Sequence, residues 1–291
     1  MSRLQQALLA AAVGGLCMAA LAGCRTPTPS ADATPSVMAA FYPLQFAAQT
    51  VGGDTTSVAN LTPPGVEPHD LELTAAQVAD ISQADLVLYV KGFQAAVDEA
   101  IAQQAPDSAV DVSADLALLG NDPHVWLDPR NMSKIGTTVA TRLAEVEPDS
   151  ATALAKNASE LSAAMDALDA EYRAGLANCR SRDLVVSHEA FGYLAHAYGM
   201  NQIGISGLSP DAEPSPARLK EVADLVKSKG ITTIYYETFV DPKIAQTIAD
   251  ETGAKVAKLD PLEGLAANAT GDYVSVMKDN LATLKAGQGC T

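Results

Sequence analysis

The chain has 291 residues, 48% hydrophobic, 5% aromatic and 19% charged, with 35 acidic against 19 basic side chains and a formal net charge of -16. That length allows one large domain or two smaller ones around a sizeable core. The acidic balance argues against nucleic acid as a partner, because its phosphates would be repelled; it is compatible with a cationic ligand, or simply with carboxylates spread over solvated faces.

Residues 1–23 read as an export signal. Arg3 supplies a short basic start, and Ala7 to Ala22 is almost wholly apolar, about 16 residues against the ~20 needed to span a bilayer. The stretch ends in Leu21-Ala22-Gly23-Cys24, which resembles the bacterial lipobox, where the Cys is acylated and begins the mature protein. A plain signal peptide with a chance Cys is the alternative. Residues 24–36, rich in Pro, Ser and Thr, read as a flexible tether. The folded body is thus expected outside the cytoplasm, held to the membrane by lipidated Cys24.

From there short apolar strands alternate with helical patterns, the signature of an α/β fold with parallel sheets. The first half offers strands at Val37–Phe41, Thr56–Leu61, Asp85–Val90 and Ala109–Val112, with helices at Leu44–Val51, Ala75–Ser82 (N-capped by Thr74) and Phe93–Gln103. A helix starts near Pro129, and Pro148 interrupts the helical region. Residues 149–179 then carry apolar side chains at helical spacing (Leu154, Ala158, Leu161, Met165, Leu168, Tyr172) and predict one helix of about 45 Å. The second half predicts strands at Leu184–Ser187, Gln202–Ile205, Thr232–Glu237 and Lys255–Leu259, and helices at Ala190–Tyr198, Ala217–Lys229, Pro242–Glu251 and Asp272–Lys285. The expected organisation is a lobe over 37–148, a linking helix over 149–179 and a second lobe over 180–291, each lobe with a parallel four-stranded sheet and flanking helices.

Three of the four histidines and one aspartate fall just beyond the carboxyl ends of these strands: His69, His124, His188 and Asp260. In open parallel sheets that edge is where ligands bind. Two come from each half, which places them at a cleft between lobes. Three imidazoles and one carboxylate suit a tetrahedral, borderline-soft cation such as Zn2+, and four protein donors leave no open position for a substrate. Each residue alone has a bland reading as a capping or solvated side chain. His196, two helical turns beyond His188, is assigned to solvent. Glu67, Glu189 and Glu237 lie near the same edge and are candidates to accept imidazole N–H bonds and so fix the ring tautomers. Enzymatic motifs do not fit: the residue four after His188 is Gly192 where a zinc protease helix needs His, and no nucleophile elbow, P-loop or zinc-finger Cys pair is present.

With Cys17 removed with the signal and Cys24 used for lipid, Cys179 and Cys290 remain in the body. In an exported protein these two are expected to pair, two free thiols being the alternative.

Taken in order, GVEPHDLELT, DPHVWLDP, VVSHEAFGYLAHAYG, GISGLSPDAEPSP, YYETFVDPKIAQTIADETGAKV and LDPLEGL resemble the signature segments of the metal-specific (zinc and manganese) substrate-binding lipoproteins of bacterial ABC importers. The resemblance runs from about Val37 to Cys290. It implies two lobes bridged by a rigid helix, a metal bound between them by His69, His124, His188 and Asp260, delivery to an ABC permease, and no catalysis. His188 stands where manganese-specific members usually carry Glu, so Zn2+ is favoured over Mn2+. The short stretch Ser113–Pro123 lacks the His-rich loop of many zinc-specific members. A monomer is expected, and affinity should fall below about pH 6 as the imidazoles protonate. Competing readings are a manganese-binding or dual-metal member of the same family, a zinc hydrolase with Asp260 off the metal, and a surface adhesin with incidental metal binding.

Overall fold

The computed structural model describes residues 34–291. The signal, the lipidation position Cys24 and most of the tether therefore lie outside the described residues. The first lobe runs β1 (Ser36–Ala39), α1 (Tyr42–Gly52), β2 (Ser57–Asn60), α2 (Ala75–Gln83), β3 (Leu86–Tyr89), α3 (Ala95–Gln104) and β4 (Ala109–Asp111). Its strands are all parallel, in the order β2-β1-β3-β4. Ser36, assigned to the tether from sequence, opens β1. The central strands are nearly continuous runs of apolar residues, as strands covered on both faces by helices must be. Thr74 caps α2 as its sequence suggests, in a reciprocal arrangement with Gln77.

Two long helices follow, α4 (Pro129–Val146) and α5 (Ala151–Gly175), separated by a 3-10 turn at Pro148–Ser150. At 1.5 Å per residue α5 spans about 37 Å, shorter than the 31-residue segment promised. Pro148 and its turn take up the first residues, and the last are drawn into the bridge between Cys179 and Cys290, which are disulfide-bonded across 111 positions of sequence.

The second lobe repeats the first: β5 (Asp183–Val186), α6 (Gly192–Tyr198), β6 (Asn201–Gly204), α7 (Pro216–Lys229), β7 (Thr233–Tyr236), α8 (Lys243–Thr252), β8 (Lys255–Lys258) and α9 (Tyr273–Gln288). Its parallel sheet has the order β6-β5-β7-β8. In both sheets the first strand is flanked on one side by the second and on the other by the third, so chain direction switches beside it. Loops diverge there and leave a crevice at the carboxyl edge.

The lobes share a hydrophobic core, and a second, separate cluster around Val226, Ile234 and Ile248 lies within the second lobe. The shared core includes Leu44, Leu88 and Trp126 from the first half, Leu161, Met165 and Tyr172 from α5, and Leu184, Tyr235 and Met277 from the second half. Buried polar bonds cross the same boundary. The Trp126 indole N–H donates to the carbonyl of Pro261 at 2.8 Å, and the Tyr273 hydroxyl donates to the carbonyl of Trp126 at 2.6 Å. The Tyr172 hydroxyl of α5 donates to the carbonyl of Met277 in α9 at 2.7 Å. Residues 34–291 accordingly pack as one unit.

Candidate metal centre

Each side chain of the centre comes from a loop at the carboxyl edge of a sheet. His69 sits in the long β2–α2 loop. His124 precedes a 3-10 turn, Val125–Leu127, that leads into α4. His188 follows β5 almost directly. Glu263 lies in the loop between β8 and α9. His124 and His188 are 0% exposed and Glu263 is 1% exposed.

Among the described residues these four converge: one donor atom from each lies within 4.8 Å of all the others. The Nε2 atoms of His69, His124 and His188 stand 3.4, 3.1 and 3.1 Å from Oε1 of Glu263. A tetrahedral ion with bonds of about 2.05 Å needs donor–donor edges of roughly 3.3 Å, so these separations fit a zinc-sized cation. Nε2 of His69 and Nε2 of His124 are buried without an aligned hydrogen-bond partner. Burying polar nitrogens unsatisfied is costly, and a cation at the focus of the lone pairs removes that cost.

Two of the remaining ring nitrogens face carboxylates. Nδ1 of His124 is 2.8 Å from Oδ1 of Asp122, and the same oxygen accepts the His124 backbone N–H at 2.9 Å. Nδ1 of His188 is 2.5 Å from Oε2 of Glu237, whose other oxygen accepts the His188 backbone N–H at 3.1 Å. Asp122 thus holds the backbone and ring of His124 together, and Glu237 holds the His188 backbone and lies against its Nδ1 without an aligned bond; both place a carboxylate beside Nδ1, which favours the proton there and turns Nε2 toward the metal position. Phe93 walls the site, its ring 4.6 Å from that of His69 and 5.9 Å from that of His124.

Charge in the centre is balanced internally. Burial pushes the Glu263 carboxyl up, but the three imidazoles facing it outweigh that and hold it well below the usual carboxylate range. Burial works against a charged His188, yet its bonds to Glu237 and Glu263 prevail and push it up to about 10. His124 is raised for the same reason, through Asp122 and Glu263. Glu67, buried and facing the Glu263 charge, is pushed up to about 7.

The three histidines expected from sequence are therefore brought together, and the fourth position is corrected. Asp260 is not in the cluster. Its Oδ1 accepts the Leu262 N–H at 2.9 Å, its Oδ2 accepts the Thr238 hydroxyl, and its backbone is clamped both ways by the Asn280 amide at 2.9 and 2.7 Å. It acts as a turn former, the ordinary local chemistry of an Asp that bonds the backbone two residues on. The turn sets Leu262 at φ 57°, the one positive value for a non-glycine among the described residues, and delivers Glu263 to the ion position. Glu237 lies beside the His188 ring and accepts its backbone N–H. Glu67 accepts the His69 backbone N–H at 3.1 Å and makes no bond to a ring. Glu189 packs its side chain against Gly204 and holds no imidazole. Asp122, two residues before His124, escaped the sequence reading although that close spacing was its signal. His196 is exposed.

Paired parallel sheets with a buried three-imidazole, one-carboxylate centre between them define a two-lobed metal-binding protein. The family model described as "Zinc-uptake complex component A periplasmic", ZnuA, matches residues 37–287. The chain belongs to this ZnuA family. It is 34% identical to the zinc-binding lipoprotein AdcA of Streptococcus pneumoniae serotype 4 over 94% of its length, but spans only 59% of that relative. The solved Zn(II)-bound ZnuA-like domain of Streptococcus pneumoniae AdcA superposes with a TM-score of 0.78 at 35% identity, covering 88% of this chain and 99% of the domain. The solved laminin-binding protein Lmb of Streptococcus agalactiae, described as a bifunctional protein with adhesin and metal-transporting activity, gives a TM-score of 0.81 at 34% identity, covering 87% of this chain and 99% of Lmb.

Proposed function

We propose that this protein captures Zn2+ outside the cytoplasm and hands it to an ABC permease, held to the membrane through lipidated Cys24. One observation carries the reading: three Nε2 atoms converge on one carboxylate oxygen at 3.1 to 3.4 Å, two of them buried with no hydrogen-bond partner. His69, His124, His188 and Glu263 hold the ion, which is cargo and not a reagent. Three nitrogens and one oxygen favour zinc over the harder, oxygen-preferring Mn2+. Asp122 and Glu237 keep two rings in the binding tautomer. With four protein donors no position is left for an activated water, which speaks for transport and against hydrolysis. The family description as an uptake-complex component, and the zinc named for AdcA, support the cargo and the permease. Adhesin activity is described for Lmb, and nothing about the buried centre of this chain requires it.

Elemental analysis of protein purified without chelator, followed by competition between the two metals, tests the reading. One zinc per chain, retained against excess Mn2+, is expected. Protein that carries no metal, or that exchanges zinc readily for Mn2+, would overturn it. A deletion strain should also fail to grow under zinc starvation.

A further inference from the structure

His69 is carried by the β2–α2 loop, which has no helix or strand of its own. Besides Glu67, which accepts the His69 N–H, its backbone is held by a buried bracket. Gln94, 2% exposed, stands at the N-cap position of α3. Side chains there normally cap the helix, yet that of Gln94 makes no cap bond and turns inward. Its Nε2 donates twice, to Oγ1 of Thr62 at 3.0 Å and to the carbonyl of Pro68 at 3.1 Å. Thr62, 3% exposed, in turn donates its hydroxyl to the carbonyl of Ala40, at the carboxyl end of β1, at 2.8 Å. One amide group therefore pins both ends of the stretch from Thr62 to Pro68, and Pro68 is the residue before His69. The Gln94 Oε1 is buried with no partner. A glutamine that leaves its acceptor unsatisfied is a poor choice for packing alone, and its value lies in the two bonds its N–H groups make. Its neighbour Phe93 lies against the His69 ring, so the turn that enters α3 meets that residue through backbone and ring alike.

We propose that Gln94 is the positioning residue for His69, setting zinc affinity through the Pro68 carbonyl without touching the ion. The inference rests on the zinc-site reading above. Groups that orient metal ligands typically govern affinity by about 10- to 100-fold. Gln94→Met keeps length and apolar bulk and removes both donors. Its zinc dissociation constant, measured by chelator competition, should rise by about that factor, while the melting temperature of the metal-free protein stays near that of the parent chain. Thr62→Val should weaken binding in the same direction, and Thr62→Ser, which keeps the hydroxyl, should restore it. The decisive readout is a double-mutant cycle: in a His69→Ala background, Gln94→Met should cost nothing further, whereas in a His188→Ala background its full effect should persist. Parent-like affinity of Gln94→Met, or an undiminished loss in the His69→Ala background, would overturn the inference and leave the zinc site standing. Failure of the unmutated protein to bind zinc would instead sink the site reading itself.

Discussion

At the residue scale the centre turns on which carboxylate faces the imidazoles. Asp260 and Glu263 are three positions apart in one loop, but only Glu263 faces the three Nε2 atoms, while Asp260 is committed to Thr238 and Leu262. Glu263→Gln should therefore raise the zinc dissociation constant by more than the roughly 100-fold upper range for residues that merely support ligands. Asp260→Asn, whose amide oxygen can still accept the Leu262 N–H, should change it by less than about tenfold. Chelator competition at neutral pH reads both, and the reverse order would overturn the assignment. The proton inventory yields a second expectation. His188 is pushed up to about 10 in the metal-free protein, so at pH 7 it is charged and must lose its proton to bind metal. Calorimetry of zinc binding in buffers of different ionisation enthalpy should show net proton release near neutrality. Affinity should keep climbing as pH rises towards about 10, without levelling just above the ordinary histidine value. For the metal-free fold the sign is opposite. A raised histidine stabilises it below the unfolded value of about 6.5, and that contribution is lost as pH rises through about 10. Binding without proton release would contradict this charge assignment.

At the element scale, ligand geometry depends on how closely backbones approach. The amino end of α6 brings Gly192 against Asp122, so near that a Cβ on residue 192 would fall 2.2 Å from Oδ2. Glycine is needed there for space, and Asp122 is the group that orients His124. Gly192→Ala should push Asp122 aside and weaken zinc binding by about 10- to 100-fold, with circular dichroism unchanged. Unaltered affinity would show that Asp122 does not control the His124 ring. The β8–α9 loop relies on a comparable constraint. Gly264 faces the Phe239 ring, where a Cβ would meet Cε2 at 3.2 Å, and Gly65 of the first lobe donates its N–H to the carbonyl of Leu265 at 2.8 Å. Loops from both lobes therefore meet over the centre by backbone contact, which needs small residues at the crossing.

At the scale of the whole molecule, the lobes are not free to swing. The core passes without a break from the first sheet through α5 to the second, and Trp126, Tyr172 and Tyr273 each make a buried hydrogen bond that spans it. A wide hinge opening would break these bonds and expose apolar surface together. Zinc binding should thus leave the radius of gyration from small-angle X-ray scattering unchanged within error. Compaction of the kind produced by closure of hinged lobes would refute that, and metal would then leave by lobe rotation, not by local movement of the ligand loops.

All eight strands of the described body, and the helices between them, were legible from apolar runs, periodicity and turn residues, because those signals report local backbone preference and burial. So were His69, His124 and His188, since position just after a strand places a side chain at the sheet edge whatever else the chain does. The same logic selected Asp260, which stands nearest its strand, and passed over Glu263. The local difference is slight: both are carboxylates in one Pro- and Gly-containing loop, though an Asp more readily bonds the backbone two residues on. The choice depends on Thr238 and Asn280, more than fifteen positions away on either side, which claim Asp260 and tilt the turn. Asp122 as the partner of His124, and Gln94 beneath His69, are likewise settled by packing between elements. Sequence by itself determined which segments form sheets and which imidazoles reach their edge; only the tertiary structure decided which carboxylate completes the centre, because that follows from hydrogen bonds between residues distant along the chain.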